Sequence, residues 1–103
     1  MNMENNTITE LLDAICKRPA MYLTRNYISC LKSFLDGYYL GSSKSESLGF
    51  EVMDKFQNWA ERKYQITSSN SWCDIILFNS RDETDALDRF FTDFQEFLES
   101  HCS

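Results

Sequence analysis

The stretch from Ser71 to Leu98, SWCDIILFNSRDETDALDRFFTDFQEFL, restricts the possible folds more than any other part of the chain. Leu87, Phe90, Phe91, Phe94, Phe97 and Leu98 recur at three- and four-residue spacing, which is one face of a helix. Each phenylalanine on such a stripe can remove roughly 150–250 Å² from water, so the segment demands other elements to cover it. The opposite face carries Asp85, Asp88, Asp93, Glu96 and Glu99. One segment is thus expected to supply both a core and an acidic surface.

Only 3 glycines and 1 proline occur in 103 residues, too few turn formers for a strand-rich sandwich and well suited to long helices. The length fits one domain, and a 43% hydrophobic composition can build a core without metals or disulfides. The expected fold is all-α: a single domain over 1–103, bundling four or five helices near 8–17, 26–40, 48–64, 72–78 and 83–99. Residues 1–6 and 101–103 are expected to be flexible.

Local signals place the breaks. Thr7 to Glu10 fits a capping box for the first helix, whose stripe is Ile8, Leu11, Leu12 and Ile15. Pro19 should stop that helix near Lys17 and leave a short apolar connector, Arg18 to Leu23, with little room for a helix. Asn26 is the expected N-cap of the second helix and Gly41 its left-handed C-terminal cap. A loop, GSSKSES, follows, with Ser47 as a cap for the third helix. Ser71 should cap a fourth, short helix. The run Ile75 to Phe78 fits a buried strand equally well, but no second convincing strand exists to pair with it. Ser80 to Glu83 reads as another capping box, opening the fifth helix.

Charge narrows the function. The net charge is −6, whereas phosphate binding needs clustered Lys and Arg, so nucleic acid is not the expected ligand. From Ser80 onward seven acidic residues face two basic ones, and this region carries most of that charge. A basic protein partner is the electrostatic expectation. No apolar run approaches the ~18 residues of a membrane span, and the N-terminus lacks the pattern of a signal peptide. A cytoplasmic protein with reduced thiols is expected, with Cys16, Cys30 and Cys73 in or near the core and Cys102 in the tail.

Catalytic chemistry finds little footing. His101 is the only histidine and lies three residues from the end, a poor place to order a proton transfer. The cysteines form no Cys-x-x-Cys pair, so zinc is not expected, and Asp74 beside Cys73 should raise that thiol's pKa. Asp82, Glu83 and Asp85 match no calcium loop and suit a helix N-terminus instead. Neither cofactor nor enzymatic activity is expected. Tyr39 and Trp72 belong to the residue types that anchor interfaces.

The string Arg18-Pro19-Ala20-Met21-Tyr22-Leu23, then Leu31, Phe34-Leu35-Asp36-Gly37-Tyr38, Trp59, Lys63-Tyr64, Ser71-Trp72 and an acidic Phe-rich helix, resembles small bacterial immunity proteins of polymorphic toxin and contact-dependent growth inhibition systems. The resemblance spans about residues 15–98. It implies a small cytosolic protein that binds one cognate toxin domain tightly and blocks it, without catalysis. Many such toxins are nucleases with basic clefts, which an acidic inhibitor can cover. The expected partner-binding residues are Asp82, Asp85, Asp88, Asp93 and Glu96, with Tyr39 and Trp72 as anchors. The alternative is a small helical adaptor or regulatory subunit that holds a partner in an aromatic groove.

Overall fold

The computed structural model describes residues 7–41, 51–66 and 70–102. It contains five α-helices over those residues: α1 (Thr7–Lys17), α2 (Ile28–Gly41), α3 (Glu51–Tyr64), α4 (Trp72–Phe78) and α5 (Glu83–Cys102). No strand occurs among the described residues, and Ile75 to Phe78 belong to the helix α4. The fold is the expected all-α bundle. Its radius of gyration, 13.1 Å, matches the ~13 Å of a compact 100-residue domain. The proposed Ser47 cap, the start of the third helix at 48–50 and the flexible residues 1–6 lie outside the described residues. At the other end, the backbone of α5 runs helically through Cys102, past the expected end at 99.

Helix α1 stops at Lys17 because Arg18 leaves the helical region ahead of Pro19 (φ −142°, ψ 69°). The connector accommodates more order than expected: Pro19–Met21 forms one 3₁₀ turn, closed by Tyr22 N–H on the Pro19 carbonyl at 3.0 Å. Leu23 is buried there and the ring of Tyr22 meets Phe34 edge-on, while Met21 stays exposed.

Phe56 on α3 is the hub of the core. Its fully buried ring lies 5.4 Å from the centroids of both Phe90 and Phe94, 5.5 Å from Phe97 and 6.0 Å from Trp72. Most of these contacts are edge-to-face, the arrangement favoured by the ring quadrupole. Ile8, Leu12 and Ile15 of α1, and Ile28, Leu31 and Leu35 of α2, close the core from the other side.

Several helix ends are made differently from the sequence expectation. At α5 the cap is Asp82, whose Oδ1 accepts Asp85 N–H at 2.8 Å, whereas Ser80 Oγ donates back to the Ile76 carbonyl. At α2 the cap is not Asn26: the carboxylate of Glu83, in the first turn of α5, accepts both the N–H and the hydroxyl of Ser29, at 3.0 and 3.1 Å. Gly41 is the last residue of α2, and no glycine among the described residues has positive φ. The left-handed cap belongs to Gln65 (φ 57°) after α3, where Ile66 N–H reaches Glu61 O and Gln65 N–H reaches Arg62 O, a Schellman pattern. Ser71 caps α4 as expected, its hydroxyl accepting Asp74 N–H at 3.3 Å.

Candidate functional site

The acidic residues of α5 separate into three groups with different jobs. Asp82 and Asp85 hold the helix start. Besides donating its own N–H to Asp82, Asp85 accepts Arg81 N–H at 3.0 Å and lies 3.9 and 4.0 Å from the guanidinium groups of Arg81 and Arg89. Its side chain is only 24% exposed, so the expectation of a fully solvated Asp85 is corrected.

Asp93 is the larger correction. The helix period places it on the outer acidic face, yet its side chain is 2% exposed. It stands about 80° around the helix from Asp85, at 100° per residue, which turns it toward α3. There its carboxylate takes a 2.7 Å ion pair from Lys63 Nζ and a hydrogen bond from the Tyr64 hydroxyl. Lys63 also reaches Glu96 at 3.1 Å and lies over the rings of Trp59 and Tyr64. Burial, then the bond to Asp93, pushes the Tyr64 hydroxyl up to about 12. Asp93 thus satisfies a helix–helix contact and is withdrawn from any binding surface.

The third group remains outward. Asp88 and Glu99 are exposed, and Glu96 is 55% exposed beyond its contact with Lys63. No cation lies within ion-pair distance of Asp88 among the described residues.

The two expected aromatic anchors also part company. Trp72 is 6% exposed, its ring 4.8 Å from Phe90 and its backbone N–H bonded to Gln57 Oε1 at 2.6 Å, so it is a core residue. Sequence reasoning missed Gln57. Its amide also donates to Asn70 O at 2.9 Å and to Glu61 at 2.8 Å, tying the entry of α4 to α3. Tyr39, at 50% exposure, lies with Leu35, Met53, Asp54 and the edge of Trp72 along a groove of about 450 Å³ between α2, α3 and α4. That groove is built by different helices from those that carry Asp88.

The Cys73 thiol is held protonated by its setting. Burial, followed by Asp74, raises Cys73 to about 11, and its Sγ faces the Ile28 carbonyl. Cys16, expected near the core, is exposed. Among the described residues no group of three or more His, Cys, Asp and Glu side chains converges to hold a metal ion, and no helix is long and apolar enough to cross a membrane. No protein-family model, curated protein or solved structure matches the chain.

Proposed function

We propose that this protein neutralises a bacterial toxin domain by binding it, as the resemblance to immunity proteins implies. The observation that carries the reading is the outward acidic ridge of α5, Asp88, Glu96 and Glu99, in a chain of net charge −6. Such a ridge suits a basic cleft, and a nuclease toxin presents one. Long-range attraction between the two speeds encounter, and close contact then excludes substrate.

The test is to inspect the gene immediately upstream and, where it encodes a large secreted protein with a variable C-terminal toxin domain, to co-express that domain with this chain. Wild type should restore growth and co-purify with the toxin domain. Association should slow as salt rises from low to physiological strength, with a smaller change in dissociation. Growth arrest undiminished by this chain, with no complex recovered, would remove the proposal.

A second reading rests on the groove of Leu35, Tyr39 and Met53. An adaptor using it would bind an apolar helix of a host protein, with affinity indifferent to salt and sensitive to Tyr39→Ala.

A further inference from the structure

The seam between α1 and α5 combines an apolar floor with an acidic rim. Residues 9–13 of α1 line it with 94–98 of α5, and Cys16 with Thr84 to Phe91, so the two helices run antiparallel. Two hollows, of about 290 and 450 Å³, lie along this seam and share Cys16 and Phe91 as lining residues, together forming a trough. Its floor is apolar, formed by Leu12, Phe91 and Leu98, and its rim carries Glu10, Asp13 and Asp88. Among the described residues no Lys, Arg or His lines either part. Lys17 pairs with Asp13 at 2.9 Å from outside the trough, and no cation pairs with Glu10 or Asp88 among the described residues.

We infer that this trough receives an amphipathic helix of the partner, its apolar stripe on Phe91 and its Lys or Arg residues against Glu10, Asp13 and Asp88. The inference rests on the toxin-binding reading and names the surface that does the binding. The trough follows α5 from Thr84 to Leu98, about 21 Å of helix, so it accepts about four turns of a partner. An apolar floor with a single-sign rim selects such a helix twice, by burial and by charge.

The experiment uses the full chain, labelled with nitrogen-15, and a synthetic peptide of about 14 residues with leucines at helical spacing and flanking lysines. Amide shifts should concentrate on Asp13, Cys16, Asp88, Phe91 and Gln95, and should shrink with salt. The same peptide with glutamates in place of the lysines should leave the spectrum unchanged. Asp13→Lys combined with Asp88→Lys should weaken the lysine peptide about tenfold or more while the circular dichroism stays that of wild type. Shifts spread over the whole surface, or gathered at Tyr39 and Met53, would overturn the inference. So would a double variant that binds the peptide as wild type does. In cells, a double variant that still protects against the toxin would remove the trough as the toxin site while leaving the immunity reading standing. A wild type that protects against no toxin, with the peptide still mapping to the trough, would remove only the immunity reading.

Discussion

Lys63 of α3 and Asp93 of α5 meet at 2.7 Å across the helix interface, with the carboxylate buried and the ammonium side chain one-third exposed. Lys63→Met strands a buried carboxylate with one remaining donor, Tyr64, and should destabilise the fold by about 1–3 kcal/mol. Glu96→Gln removes the exposed arm of the same cluster and should cost less than about 1 kcal/mol. Urea denaturation of both variants separates the two contributions. Equal losses would show that the burial of Asp93 confers no special role.

Alkali should weaken the fold. The Tyr64 hydroxyl is raised from 10.0 to about 12, chiefly by burial, and the Cys73 thiol from 9.0 to about 11. In both cases the folded state holds its proton more tightly than the unfolded chain. The associated stability is therefore complete below the unfolded values and is lost as pH rises through about 9–12. Denaturation midpoints taken across this range should fall, and Tyr64→Phe should flatten the upper part of the slope. A midpoint constant to pH 12 would contradict the assignment.

Reversal of charge at two neighbouring acids should have unequal consequences for stability. Asp85→Lys breaks the bond to Arg81 N–H at the start of α5 and should cost about 1 kcal/mol. Asp88→Lys touches no cap and should stay within about 0.5 kcal/mol of wild type. Thermal melts of the two single variants decide the matter, and they also show why Asp88 rather than Asp85 is the clean probe of binding.

Gln65 adopts a conformation that costs an L-residue with a side chain about 1–2 kcal/mol and a glycine almost nothing. Gln65→Gly should raise stability by about 0.5–1 kcal/mol once the greater freedom of glycine in the unfolded chain is deducted. A loss of stability in calorimetry would show that the left-handed cap is not what ends α3.

The helices were readable because their signals are local. The stripe of α5, the stop at Pro19 and the cap at Ser71 each depend on residues within a few positions of one another. The candidate surface was less readable because its geometry is set between helices. Asp93 looks like its exposed neighbours in one dimension, and only the arrival of Lys63 and Tyr64, some thirty residues earlier in the chain, removes it from solvent. Trp72 was read as an anchor for its residue type, although its place at the head of the apolar run Ile75–Phe78 already pointed inward. The roles of Gln57 and Glu83, and the trough beside Phe91, have no signature in spacing or composition, since each depends on how far apart two helices settle.

The bond from Glu83 to Ser29 puts the starting signal of one helix into another, 54 positions downstream. A lineage or a designer that replaces α5 therefore inherits an obligation unrelated to its outer surface. Among the described residues Asp88 and Glu99 bond to no other helix and can be rewritten, but the carboxylate at 83 must travel with every version, because it accepts the N–H and hydroxyl of Ser29 at the start of α2. Variation in this protein is thus licensed on the outer side of α5 and forbidden at its root, and a library built on the scaffold should randomise the one and hold the other.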